Sequence, residues 1–250
     1  MLFGHEDKIK LFKKLAKEGR LSQAYLFYGD AQIGKFLFAK HLAYFLEYGD
    51  FETSDKPLID VGFFSPNEKN IMGVDEARAI KKFLSGKPLK SSKRLAVIEK
   101  SEYLTDEAQS SLLKIVEEPP RESLIIFIAS NAQILFAPLL SRLVKIYFKR
   151  FSEKEIKDIL VKNFNLPVAK ATLFSKLSFG KVGRAMALKN GEVTIRDGIE
   201  KNIVDLYTAE SQKNSSKLAW LLSREVVSQR FNLNANLQEK AMRYKLGDRF

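Results

Sequence analysis

The first 150 residues alternate short apolar runs with longer stretches in which apolar side chains recur every three or four positions. Short runs of this kind suit strands buried on both faces, and the longer pattern suits helices with one buried stripe. The alternation therefore predicts a parallel sheet joined by crossover helices. Five strands are expected: Ala24 to Gly29, Pro57 to Phe63, Arg94 to Glu99, Ser123 to Ser130 and Val144 to Phe148. Between the third and fourth, the spacing predicts a helix from Asp106 to Glu118 with Ala108, Leu112, Leu113 and Val116 on its apolar face. Thr105 can cap its start, acidic residues fill its first turn, and Pro119-Pro120 stops it.

After Phe148 the β-branched runs cease and the pattern is helical only, opening with the capping box Ser152-Glu153-Lys154-Glu155. Asn190-Gly191 then interrupts the periodicity. Three domains are expected: 1–150, an α/β unit; 151–190, a small helical unit; and 191–250, a shortened helical segment. In the last, apolar spacing recurs at Ile199, Ile203, Leu206 and Tyr207 and again at Leu218, Leu221, Leu222 and Val226, with Trp220 expected in a core.

Composition narrows the chemistry. There is no cysteine, which excludes disulfides, thiolate zinc sites and a cysteine nucleophile, and the two histidines, His5 and His41, leave little room for imidazole catalysis. No apolar run reaches the roughly 18 residues that cross a bilayer, and Met1 to Asp7 lacks the features of a signal peptide, so a cytoplasmic location is expected. A net charge of +12 favours polyanionic partners, but the excess is spread along the chain, and a solvated, self-repelling surface explains it equally well.

The sharpest local signal follows the first strand. Gly29-Asp30-Ala31-Gln32-Ile33-Gly34-Lys35-Phe36 fits G-x-x-x-x-G-K and leads into a helical pattern from Leu37 to Leu46, the strand–loop–helix setting in which backbone N–H groups cradle phosphates. A working loop continues with a Ser or Thr whose hydroxyl binds Mg²⁺, and here that position is Phe36. A hydrolytic site also carries Asp then Glu at the end of the third strand, the second orienting the attacking water; here Glu99-Lys100 stand there. Glu99 can approach a metal, whereas a cationic Lys100 cannot act as base and repels Mg²⁺. Three readings follow: a glycine turn with a solvated lysine and no ligand, nucleotide binding without turnover, and an unorthodox ATPase in which Glu99 holds the metal.

The run Leu95-Ala96-Val97-Ile98-Glu99-Lys100-Ser101-Glu102-Tyr103-Leu104-Thr105, continued by Ala108 and by Leu112-Leu113-Lys114-Ile115-Val116-Glu117-Glu118-Pro119-Pro120, resembles the signature of the clamp-loader family of AAA+ proteins that serves bacterial DNA polymerase III. Gly19 to Phe27, Pro57 to Asp60 and Val74 to Arg78 are similar to the same family, and Ser130-Asn131 lies where its sensor residues sit. The resemblance covers residues 1 to 190 and thins out beyond them. It implies an AAA+ P-loop-like five-stranded sheet with helices on both faces, a small helical lid and a collar-like C-terminal segment. Leu139-Leu140-Ser141-Arg142-Leu143 occupies the place of the family's S-R-C motif, which implies that Arg142 is an arginine finger acting in trans on a neighbouring ATPase subunit. Gly180-Lys181-Val182-Gly183-Arg184 resembles the second sensor, with Arg184 expected to pack as structure. The intramolecular alternative for Arg142 is a helix-terminal ion pair.

The function implied is a non-hydrolysing clamp-loader subunit without a cofactor of its own. Its expected partners are the ATPase subunits, the delta subunit, the sliding clamp and primed DNA within the complex, with no membrane. Gly29, Gly34, Lys35, Phe36, Glu99, Lys100 and Arg184 would form a degenerate nucleotide site, with no metal. The alternatives are a divergent AAA+ motor subunit that still binds ATP and a stand-alone basic DNA-binding protein. His5 is expected at the surface or as a cap, or near an adenine if a nucleotide binds, and Phe63-Phe64 as packing.

Overall fold

The computed structural model describes residues 2–193. They fall into two compact units: residues 2–152 with Lys181–Gly183, and Glu153–Gly180 with residues 184–193. In the first unit five strands, β1 (Ala24–Tyr28), β2 (Val61–Phe64), β3 (Arg94–Ile98), β4 (Ser123–Ala129) and β5 (Val144–Tyr147), form one sheet of order β2-β3-β4-β1-β5. Every pairing is parallel. The helices of this unit are α1 (Glu6–Lys17), α2 (Lys35–Tyr48), α3 (Val74–Leu84), α4 (Asp106–Glu117) and the single turn α5 (Ala137–Leu140).

Successive residues of a strand point to opposite faces, and the central strands are apolar at both parities, so each face has its own core. Leu26, Ala96, Ile98, Ile125 and Phe127 meet Ile80 and Leu84 of α3 and Ala108, Leu112 and Val116 of α4. Tyr25, Phe27, Leu95, Val97, Leu124 and Ile126 meet Phe12 of α1 and Phe38 and Leu42 of α2. The expected two-sided sheet is thus present. Thr105 caps α4 as read from sequence, its hydroxyl accepting from the Ala108 N–H at 3.2 Å.

The second strand departs from expectation. It begins at Val61, because the preceding backbone groups are taken by side chains of α2. Glu47 Oε1 accepts the N–H groups of Ile59 and Asp60 at 2.8 Å each, and the hydroxyls of Tyr44 and Tyr48 donate to the carbonyls of Lys56 and Pro57. A backbone group engaged this way is not available to a ladder. The other four strands end one residue earlier than the pattern predicts, and α2 starts two residues earlier, at Lys35.

Asp60 itself is 1% exposed and organises the turn before β3. Its carboxylate accepts the N–H groups of Leu89, Lys90 and Ser91 at 2.6–2.7 Å. Desolvation of the carboxyl opposes ionisation, but the three N–H groups outweigh it and hold the pKa below the ordinary carboxylate value.

The second unit contains α6 (Glu153–Phe164), α7 (Val168–Ser178) and, from Arg184 on, α8 (Val182–Asn190). Ile156, Leu160, Ala171, Ala185 and Leu188 are buried there. Ser175 and Ser178 are buried too, and each hydroxyl donates to the carbonyl three residues back, Thr172 and Ser175 respectively. The expected 191–250 segment, apart from its first three residues, lies outside the described part of the chain.

Candidate functional site

β1 ends at Tyr28 between β4 and β5, and the chain must turn at once toward α2 without leaving the carboxyl edge, where parallel α/β sheets hold their ligands. Gly29 makes that turn at φ 135°, and a Cβ there would stand 2.3 Å from the Phe148 carbonyl oxygen, so no other residue fits. Gly34, at φ 97°, is the N-cap residue of α2. The loop therefore keeps the path that a phosphate cradle needs.

Its lysine does not reach outward. Lys35 is 8% exposed, and its ammonium donates to the carbonyl oxygens of Gly29 and Asp30, both at 2.5 Å. Burial pushes its pKa down to about 8, against the opposing pull of the Glu102 and Asp30 charges. The expectation of a solvated lysine is thus corrected: the ammonium is satisfied by the loop's own carbonyls, and the loop is closed on itself. Asp30 is tied in turn to Arg150, whose Nη2 donates to Oδ1 at 3.0 Å while Nε donates to Oδ2. That hydrogen bond is the largest cause holding the Asp30 carboxyl below its ordinary pKa, with the charges of Arg150, Lys181 and Lys35 adding to it.

Phe36 turns its ring onto Phe63 of β2, centroid to centroid 5.5 Å, edge to face, and joins the apolar cluster on that side of the sheet. Phe64, the next residue of β2, packs edge to face on Phe83 at 5.9 Å, whereas Phe63, 39% exposed, packs on Phe36 with the rest of its ring in solvent. At the end of β3, Glu99 accepts the Ser65 hydroxyl at 3.0 Å. Lys100 follows in the left-handed region at φ 50° and is exposed. No described residue places a hydroxyl at the loop position where Mg²⁺ would be held, and the group after the β3 acid is an ammonium. The residues present therefore fit a phosphate cradle in backbone shape but not a metal-assisted hydrolytic site.

His5 is not a surface group. It sits at the N-cap position of α1, 6% exposed, with Nε2 2.9 Å from the Ile33 carbonyl and its ring against Phe148 and Phe151. Desolvation lowers its pKa, so at neutral pH it is a neutral wedge between the N-terminus and the phosphate loop. Asn131, where a sensor is expected, accepts the Gln133 N–H at 3.1 Å and caps the short turn that follows.

Arg142 lies just past α5. Its Nη2 is 2.6 Å from Glu117 Oε1, and Nη1 donates to the Pro138 carbonyl at 2.7 Å and to the Ser141 hydroxyl at 3.3 Å. Both side chains of the ion pair are about two-fifths exposed. The helix-terminal ion pair weighed from sequence is therefore present, and it leaves the guanidinium open to solvent. Arg184, in the second unit, is 3% exposed.

Sequence reasoning missed three partners of these groups. Arg150 lies 120 residues from Asp30 and carries no local signal. Glu117 was visible only as part of a signature. Glu102 lies three residues after Glu99 in a 3₁₀ turn; its Oε2 is buried without a hydrogen-bond partner among the described residues, and its charge acts on Lys35.

The profile of the family described as DNA polymerase III, delta subunit, matches residues 4–152. The chain is 29% identical to DNA polymerase III subunit delta' of Bacillus subtilis over 167 residues, covering 61% of this chain and 50% of that protein. It is 28% identical to subunit delta' of Escherichia coli over 124 residues, covering 50% and 37%. It is also 24% identical to DNA polymerase III subunit gamma/tau of Mycoplasma pneumoniae over 227 residues, covering 86% and 32%. The matches thus span half or less of these relatives' own lengths. Among solved structures, the RuvB Holliday junction branch migration motor of Thermotoga maritima superposes with a TM-score of 0.55 at 17% identity, covering 84% of this chain and 64% of that one. A gamma subunit-related protein of the same organism superposes at 0.50 and 17% identity, covering 88% and 77%. At such identity these two establish the fold alone.

Proposed function

The chain belongs to the DNA polymerase III, delta subunit family, and from that premise we propose that it works as a delta-prime-like subunit of a clamp loader that does not hydrolyse ATP itself. In this reading it joins ATPase subunits of the gamma/tau kind and the delta subunit, supplies Arg142 in trans to a neighbour's ATP, and assists placement of a sliding clamp on primed DNA. Catalysis then belongs to the assembly, and this chain is an accessory subunit of the polymerase holoenzyme, at work in the cytoplasm. Among the described residues no helix is long and apolar enough to cross a membrane.

The observation that carries the proposal is Phe36 on Phe63 beside Glu99-Lys100. Phosphoryl transfer needs a divalent ion held by hydroxyl and carboxylate oxygens and a group that orients the nucleophile. An aromatic ring supplies no oxygen, and an ammonium supplies no base. Arg142 supports the second half of the proposal, since a guanidinium on an exposed turn suits a charge that develops on another subunit's phosphate.

The test is reconstitution with gamma/tau-type and delta subunits. Arg142→Ala is expected to lower ATP turnover and clamp loading by the complex, while the purified chain hydrolyses no ATP. Magnesium-dependent turnover by the chain alone, lost in Lys35→Ala, would overturn the inert-site reading. The intact glycine path of the loop favours a second reading, a motor subunit that still binds ATP; it requires tight ATP binding by the isolated chain.

A further inference from the structure

Glu117 stands where a helix tolerates an acid poorly. It is the last residue of α4 and is followed by Glu118, so two carboxylates face the negative end of the helix macrodipole with only Lys114 as a cation in the last turn. A residue that conflicts with local preference is offset by a partner elsewhere in the fold, and here that partner is Arg142, 2.6 Å away. Its outermost nitrogens are all engaged on the protein side: Nη2 by Glu117, Nη1 by the Pro138 carbonyl and the Ser141 hydroxyl. A guanidinium carries five donors in one plane; Nη1 is used twice and Nη2 is held by charge, so among the described residues Nε–H and the Nη2 side remain for an incoming oxyanion.

We propose that Glu117 is a positioning residue for Arg142: it fixes the plane of the guanidinium against the end of α4, so that the remaining donors are already ordered when a neighbouring subunit's phosphate arrives. This rests on the trans role of Arg142 given above and adds the group that makes that role efficient. A long arginine side chain on a turn otherwise loses rotamer freedom as it engages, and ordering it beforehand removes that cost from the reacting state. The Glu117 side chain is about two-fifths exposed, so the pair is a weak one, strong enough to bias a rotamer and too weak to compete with a phosphate.

The full chain is reconstituted with gamma/tau-type ATPase subunits and delta, and ATP turnover is compared for wild type, Glu117→Ala, Glu117→Asp, Arg142→Ala and the Glu117→Ala/Arg142→Ala double variant. Glu117→Ala is expected to lower kcat of the complex about threefold to fivefold, the scale of an exposed ion pair, with KM for ATP and assembly by gel filtration unchanged. Glu117→Asp should recover part of the loss, and the double variant should be no slower than Arg142→Ala alone. A Glu117→Ala complex as fast as or faster than wild type, or a double variant slowed by the product of the two single effects, overturns the proposal. If Arg142→Ala itself leaves turnover unchanged, the trans role fails first, and the positioning role falls with it.

Discussion

The ring of Phe36, at the position where a phosphate-loop protein carries its metal-binding hydroxyl, stands 5.5 Å from the ring of Phe63 and at 65° to it, joining the first turn of α2 to the edge strand β2. The substitution is therefore a built contact. Phe36→Thr restores a hydroxyl but removes an aromatic pair and a half-buried ring at the margin of the apolar cluster, and should destabilise the chain by about 1–2 kcal/mol. Urea denaturation measures the loss. No ATPase activity should appear, because Lys100 still lacks the character of a base; turnover by Phe36→Thr alone would mean that the β3 end is competent.

Lys35 should leave a signature in the pH dependence of stability. Its folded pKa is depressed to about 8, against ~10.4 in an unfolded chain. Between those values the unfolded chain binds more protons, so stability rises with pH across the window, and below it the cost of burying the ammonium is present in full. Urea midpoints from pH 7 to 10 should show wild type gaining on Lys35→Met as pH rises. Parallel curves would mean that the ammonium is solvated.

Asp60→Asn replaces an ionised acceptor of three N–H groups by an amide with one acceptor oxygen. A loss of about 2–3 kcal/mol is expected from charge-assisted bonds left unmade, with faster hydrogen exchange at the amides of Leu89, Lys90 and Ser91. Since the folded pKa is lowered, the carboxylate stabilises the fold above the unfolded value near 3.9 and ceases to do so as pH falls through the folded one. The variant should accordingly lose less stability on acidification than wild type.

Gly29→Ala should be destabilising by about 2 kcal/mol or more, since φ 135° is strained for any L side chain and the Cβ would meet the Phe148 carbonyl, which is backbone and cannot swing aside. Thermal unfolding would measure it; a wild-type Tm would mean that the turn takes another path in solution.

Much of this is legible in the chain. Ala24 to Tyr28, Arg94 to Ile98 and Ser123 to Ala129 form strands because their residues are apolar at both parities, which only a strand covered on both faces can use. The α4 boundaries are legible from Thr105 and Pro119 for equally local reasons. The start of the second strand is not, because Glu47, Tyr44 and Tyr48 reach it from α2, twelve or so residues upstream, and no periodicity within the strand records that.

At the site the division is the same. Residue identity by itself decided that the metal-binding hydroxyl is absent and that an ammonium follows Glu99, because an aromatic ring and a lysine have fixed chemistry wherever they lie. Only the tertiary structure decided that Lys35 is turned onto Gly29 and Asp30, that His5 is wedged against Ile33, and that Arg142 meets Glu117. Which donor finds which acceptor depends on how the sheet brings distant segments to one edge, and that is a property of the packed chain.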